Sequence, residues 1–338
     1  MKNYRNQKLS SFADTVQLVE SYVRKEIIQE AQLKQLYYHN LSHALAVRRR
    51  AKQIFRQIEP VLSQHKSAAE IERLASLIDL CGLAHDMVQL FEPKTAVDRP
   101  RKRQVGLSER ETANKLLRYI EQLNQELIAT ANFDDSSVLF SNRDCQIIRD
   151  AIEATICMRD PLAGKVDYTF SPYSIYQPYL YEPQPKTSIL GSILALADLG
   201  ALGMEGVDSY IQDGILIFLE DNLNFKDLIL NCNYSQYEVD CPRYSDKSAT
   251  ESKLLAMARF MVNLAYERLA RFELEISSFD REIRLILRDR VFIYLTPENM
   301  QQVAAKIPTQ DDVSLSNLVE FFCLNRASDR YSSDNYQS

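Results

Sequence analysis

The chain has 338 residues, enough for roughly two domains or one large one. Its 46% hydrophobic and 25% charged residues are ordinary for a globular protein with a sizeable core. Only 8 glycines occur and no G-x-G-x-x-G or G-x-x-x-x-G-K-[ST] run is present, which excludes Rossmann and P-loop nucleotide binding and counts against many-stranded β folds.

Helical periodicity dominates the chain in order. Phe12 to Leu36 carries Val16, Val19, Val23, Ile27 and Leu33 at three-and-four spacing, with Ser10 or Ser11 as its cap. Ser42 to Ile58, Ala69 to Leu90, Ser108 to Ile128, Asn142 to Met158 and Thr187 to Met204 are predicted as further helices, and Thr250 to Ile276 as a long one. Thr296-Pro297-Glu298 is a helix start, a capping residue followed by proline at the first helical position. Arg288 to Leu295 is the single strand candidate, and one strand cannot make a sheet, so the fold class expected is all-α. Two stretches break the pattern. Phe91 to Leu107 is polar and holds Arg99-Pro100-Arg101-Lys102-Arg103; Asp160 to Lys186 is rich in proline and in tyrosines such as Tyr168, Tyr173, Tyr176, Tyr179 and Tyr181. Loops longer than ~15 residues tend to be lids or binding segments, although charge runs are more often solvated loops and tyrosines here could equally pack the connection on the core. Residues 327–338 are polar and expected to fray.

Forty basic against forty-six acidic residues leave a net charge of −6, which opposes general attraction to nucleic acid or anionic lipid. Six cysteines (Cys81, Cys145, Cys157, Cys232, Cys241 and Cys323) lie far apart with no C-x-x-C pair, a usage that reads as reduced thiols in a cytoplasmic protein without a disulfide frame. The polar N-terminus leads into no apolar segment, so no signal peptide is expected. The most apolar stretch, Ile189 to Met204, is too short for a membrane span.

The four histidines carry the chemistry. His39 and His43 are four apart, which on a helix would put both rings on one face. His85 is followed at once by Asp86 in the apolar setting Leu83-Ala84-His85-Asp86-Met87-Val88, whereas His65 sits among Ser63, Gln64 and Lys66 and reads as a solvated helix end. Asp198 is embedded in Ile193-Leu194-Ala195-Leu196-Ala197-Asp198-Leu199, where a desolvated carboxylate needs a cationic partner. A divalent metal is one answer and a distant arginine the other. Imidazole nitrogens with carboxylate oxygens form a ligand set suited to divalent Mn, Fe, Co, Ni or Zn, and such a site with an open position supports metal-assisted hydrolysis. Each feature alone is weak; their conjunction on a glycine-poor helical chain carries the reading.

In order and context these residues resemble the HD-domain metal-dependent phosphohydrolases, named for a His…His-Asp…Asp set on a helical bundle: His43, then His85-Asp86, then Asp198. Tyr38-His39-Asn40-x-x-His43-Ala44 is similar to the start of the catalytic domain of class I cyclic-nucleotide phosphodiesterases, and Ala197-Asp198-Leu199 to that group's last ligand motif. The resemblance covers roughly residues 30 to 205. It implies an HD-type core over 1–205; residues 206–326, which it does not cover, are expected to form a mostly helical extension packed on that core. It makes His43, His85, Asp86 and Asp198 the ligands of one divalent ion, His39 the proton donor to the leaving oxygen, and Asp86 also a group that orients or deprotonates the attacking water. The reaction implied is hydrolysis of a phosphoester of a small molecule, a nucleotide or cyclic nucleotide, by attack of a metal-bound hydroxide. Glu153 falls where such enzymes place further polar groups, with pairing to Arg149 as the alternative. Gln89 stands where the phosphodiesterase group has another histidine, which favours a mononuclear site and leaves Gln89 to hold a water; Arg101 and Arg103 are candidate phosphate contacts. The rival readings are a catalytically weak binding or regulatory module that keeps the metal site, and a metal-free scaffold in which Asp198 pairs with an arginine.

Overall fold

The computed structural model describes residues 11–93, 100–130, 136–159, 175–181, 188–231 and 244–324. The described chain is all-α apart from one antiparallel pairing of two-residue strands, β1 (Met158–Arg159) and β2 (Ile175–Tyr176), with Met158 opposite Tyr176. Among the described residues, no helix is long and apolar enough to cross a membrane.

Helix α1 (Phe12–Lys34) starts at a capping box: the Ser11 hydroxyl accepts from the Asp14 N–H and the Asp14 carboxylate accepts from the Ser11 N–H. Its end is set by Gln35, the one described non-glycine residue with positive φ, at 51°. Helix α2 (Leu41–Leu62) is capped by Asn40, whose Oδ1 accepts from the N–H groups of Ser42 and His43. The helix begins within one residue of the predicted Ser42, with His39 in the turn before it and His43 in its first turn. Helix α3 (Ala68–Ala84) is shorter than the predicted Ala69–Leu90. It ends at His85, and the extended residues beyond are pinned to α4 (Leu107–Thr130), where the Ser108 and Thr112 hydroxyls accept from the Leu90 and Val88 N–H groups.

Helix α5 (Asn142–Glu153) stops short of the predicted Met158, which joins β1 instead. The predicted Thr187–Met204 helix is two, α6 (Ile189–Asp198) and α7 (Ala201–Glu205), broken at Leu199-Gly200. Then follow α8 (Val207–Asp221), α9 (Lys226–Asn231), α10 (Tyr244–Glu275) and α11 (Arg281–Ile286). The expected strand Arg288–Leu295 is not a strand: Leu287–Val291 form a π-helical turn continuing α11. Ile283, Leu287 and Val291 recur every four residues and are buried, so helical spacing prevails over the local β-branched run. Helices α12 (Pro297–Lys306), capped by Thr296, and α13 (Leu315–Phe322) complete the described chain.

Buried apolar side chains form two clusters whose membership crosses residue 205. The first runs from Val16 to Met204 and takes in Phe272, Ile276, Phe279, Ile283, Leu287, Val291 and Phe292 from late in the chain. The second is built from Leu202 to Phe322, with Tyr37 packed against it. One sequence expectation about covalent structure is corrected: Cys323 is disulfide-bonded, whereas Cys81, Cys145 and Cys157 are free thiols. Cys232 and Cys241 lie outside the described residues, as do Tyr168, Tyr173 and the 327–338 tail. Spacing alone does not reveal such a pairing, because chain folding decides which sulfurs meet.

Helices α2 and α3 cross where Gly82 meets Arg48. A Cβ on Gly82 would lie 2.8 Å from the Arg48 Cα, closer than backbone atoms tolerate. Gly82→Ala should therefore destabilise the protein by about 1–3 kcal/mol in urea denaturation, despite alanine's higher helix propensity; equal or greater stability would show that the crossing has room to spare.

Candidate metal and acid–base centre

Four side chains from three places in the sequence converge. His43 lies in the first turn of α2, His85 and Asp86 just past the end of α3, and Asp198 at the last residue of α6. One ligand atom from each lies within 4.8 Å of all the others. His43 Nε2 is 3.3 Å from His85 Nε2 and 3.3 Å from Asp86 Oδ2. His85 Nε2 is 2.9 Å from Asp86 Oδ2 and 3.5 Å from Asp198 Oδ1, and His43 Nε2 is 3.7 Å from Asp198 Oδ1. Donors held about 2.1 Å from one ion stand about 3.0 Å apart at right angles and about 3.4 Å apart tetrahedrally, so these separations fit a shared divalent cation.

The orientation of the rings fits it too. His85 Nδ1–H donates to the Gly82 carbonyl at 3.0 Å, which directs Nε2 toward the cluster, where a bound cation would take the place of its proton. Among the described residues the His43 Nδ1 has no hydrogen-bond partner, and its ring packs on Tyr38 with centroids 4.1 Å apart. Asp198 Oδ2 accepts from the Gln177 amide at 3.0 Å. Arg50, buried within the bundle, donates at 3.0 and 3.1 Å to the Ala197 and Asp198 carbonyls at the end of α6. It satisfies the helix end and not the Asp198 carboxylate, which among the described residues is paired with no guanidinium. Burial alone would favour neutral forms, but the facing charges prevail. His43 and His85 hold Asp198 down at about 2, and His85 with His39 keeps Asp86 well below the usual carboxylate range. Against the same burial, Asp86 and Asp198 raise His85 to about 10 and lift His43 as well.

His39 sits at the rim, in the turn before Asn40. Its Nε2 is 3.8 Å from Asp86 Oδ2, and its Nδ1 is 2.6 Å from Glu220 Oε1. The other Glu220 oxygen accepts from the Tyr38 and His39 N–H groups, both at 2.9 Å. Despite full burial, the His39 ring and Arg103 hold the Glu220 carboxyl down at about 2. Glu220 is therefore acceptor-only at neutral pH, and His39 Nδ1 must donate to it.

Gln89 closes a circuit. Its amide donates to Asp86 Oδ1 at 3.1 Å and its oxygen accepts from Arg103 Nε at 3.0 Å, while Arg103 bonds Glu220 and, at 2.7 Å, Asp221. Gln89 thus braces the Asp86 carboxylate. Arg103 lines the cavity described below, and Gln89 and the two carboxylates bond its guanidinium. Arg101 does not line that cavity: its guanidinium lies 4.9 Å over the Phe91 ring and its N–H bonds the Asp221 carbonyl. Glu153 is also placed apart, at the end of α5 and 3.5 Å from Arg149, the pairing weighed as its alternative. His65 is exposed, as expected. Of the tyrosines in the irregular stretch, Tyr179 bonds Asp150 and Tyr181 bonds Glu275, both at 2.6 Å, so these two fasten the connection to the core.

The cluster opens into a cavity of about 450 Å³ lined by His39, Asp86 and Asp198 at one end and by residues of α8 and α10 at the other. Burial pushes Glu109, Asp213 and Asp221, all in its wall, above the usual carboxylate range. The chain matches no protein-family model, no curated protein and no solved structure.

Sequence reasoning missed Glu220, Gln177 and Arg50. Glu220 carried a usable signal: it follows Ile215, Phe218 and Leu219 in an apolar helix, the same setting that singles out Asp198. Gln177 and Arg50 carried none.

Glu220→Gln removes the acceptor that fixes the His39 tautomer. Nitrogen-15 NMR of the histidine rings should show His39 protonated at Nδ1 in the native protein and mixed tautomers in the variant; an unchanged spectrum would mean that Glu220 does not set the ring. Because the folded pKa of Glu220 is depressed, its contribution to stability is complete above the ordinary carboxylate range and is lost as pH falls toward 2. The native protein should accordingly lose more stability than Glu220→Gln between about pH 5 and pH 2, measured by urea denaturation; parallel acid limbs would contradict this.

Proposed function

We propose that the protein is a divalent-metal-dependent phosphohydrolase acting on a phosphoester of a small molecule. The observation that carries the proposal is the gathering of His43, His85, Asp86 and Asp198 around one point at the mouth of a cavity, with His39 Nε2 beside it. The order of these residues along the chain, which resembles that of HD-domain phosphohydrolases, supports the same reading and keeps nucleotides among the candidate substrates. The donor set suits divalent Mn, Fe, Co, Ni or Zn. A divalent ion held there supplies Lewis acidity and makes a water molecule acidic enough to act near neutral pH.

The chain's own groups have separable tasks. His43, His85, Asp86 and Asp198 would hold the ion, with Asp198 fixed by Gln177 and by the Arg50-bound end of α6. Asp86 presents Oδ2 to the cluster while Gln89 holds Oδ1, so its carboxylate is oriented to align or take a proton from the attacking water. His39, anchored through Nδ1 to Glu220, presents Nε2 toward the cavity and delivers a proton there to the departing oxygen. Thr155, Leu199 and Phe218 wall the same space and limit solvent.

Purified protein should retain about one divalent ion per chain by mass spectrometry of its metals, and should cleave bis(p-nitrophenyl) phosphate when Mn, Co or Ni is added. Asp198→Asn should lose the ion and its activity with the fold intact. His39→Ala should keep the ion and lose about 100-fold or more in turnover. Bound ion without turnover of any phosphoester would favour a binding module, and Asp198→Asn with native activity would refute the assignment.

A further inference from the structure

The residues after 205 form a wall that metal binding leaves unused. Along α8, Asp213, Gly214, Ile217, Phe218 and Asp221 fall three or four apart and face the cavity; along α10, Met257, Phe260, Met261 and Leu264 do the same. The two helices touch at Gly214, where a Cβ would lie 2.5 Å from the Met261 Cε. Ile217 and Phe260 are half-buried and belong to neither packed cluster. Apolar side chains that face a cavity and pack in no core are stabilised by an apolar ligand that covers them.

The charges of the cavity narrow the ligand further. Its described lining holds two arginines, Arg103 and Arg268. Arg103 is engaged by Gln89, Glu220 and Asp221, and Arg268 by the buried Glu275. Against them stand Glu109, Asp213 and Asp221, beyond the Asp86 and Asp198 of the cluster. A chain of several phosphates would meet these carboxylates with no uncommitted cation among the described lining residues to offset its charge.

We propose that the cavity binds a phosphoester with one singly charged phosphoryl group on an uncharged, largely apolar body, which lies against Ile217, Met257 and Phe260, and that it rejects polyphosphates. The position of the phosphoryl group, beside His39 and the His/Asp cluster, rests on the hydrolase reading; the apolar wall does not.

The test uses the full chain, with and without added Mn, and a fluorescent probe of matching chemistry, anilinonaphthalene sulfonate. Diphenyl phosphate should displace the probe from the native protein and from Phe260→Leu, whereas Phe260→Glu should weaken that displacement by at least about tenfold. Pyrophosphate, adenosine triphosphate and cyclic adenosine monophosphate should compete at least about tenfold less well than diphenyl phosphate. Equal competition by the polyphosphates, or displacement from a folded Phe260→Glu as strong as from the native protein, overturns the proposal. If Phe260→Glu does not fold, Ile217→Asn replaces it with the same expectation. Hydrolysis is scored separately. The binding pattern without cleavage of bis(p-nitrophenyl) phosphate leaves the ligand class standing and removes the hydrolase reading. Faster cleavage of cyclic adenosine monophosphate or of a triphosphate than of the aryl diester does the reverse.

Discussion

Two half-buried carboxylates held among imidazoles at the mouth of a cavity in the helical bundle set the terms for the rest of the molecule. Asp86 and Asp198 lie where desolvation penalises charge, and each stays ionised because positive or hydrogen-donating groups face it on several sides. His43 and His85 supply part of that compensation, and Gln89 and Gln177 supply amide donors to the remaining oxygens. Every helix end near the cluster is arranged around this requirement. Helix α2 begins at Asn40 so that His43 falls in its first turn, α3 stops at Ala84 so that Asp86 can fold back, and α6 ends on Asp198 with Arg50 satisfying its last carbonyls.

A third carboxylate, fully buried, ties the late part of the chain to this centre. Glu220 reaches from α8 to a turn 181 residues earlier, binds the Tyr38 and His39 N–H groups and the His39 ring, and meets Arg103. Removing one partner from such a buried network costs more than its bond count implies, since the group left behind stays desolvated. The circuit Asp86–Gln89–Arg103–Glu220–His39 therefore couples the stability of the α8 docking to the placement of His39 beside Asp86. Helix α8 carries this lock on the same face that lines the cavity, with Asp213, Ile217 and Asp221 on either side of the relevant turn.

Much of this was legible in the sequence, for reasons that can be located. Helices and the all-α class follow from three-and-four spacing, and a carboxylate inside an apolar run such as Asp198 announces that a partner must come from elsewhere. What local pattern cannot supply is the partner itself. The His39–Glu220 bond, the Asp198–Gln177 bond and the pairing of Cys323 all depend on how the chain returns, which periodicity does not encode. One error has another origin: Arg288–Leu295 was expected as a strand because β-branched residues outweighed the longer repeat of Ile283, Leu287 and Val291. The partners of Arg103 are likewise hidden from local pattern, since Glu220 and Asp221 lie more than a hundred residues later.

The most direct measurement is anomalous diffraction from crystals of the protein grown with Mn and recorded on both sides of the metal's absorption edge. One peak within bonding distance of His43 Nε2, His85 Nε2 and the Asp86 and Asp198 carboxylates is the predicted result. Fully ordered side chains at that point with no peak, or a peak bound by other residues, would contradict the shared cation on which the proposed chemistry depends.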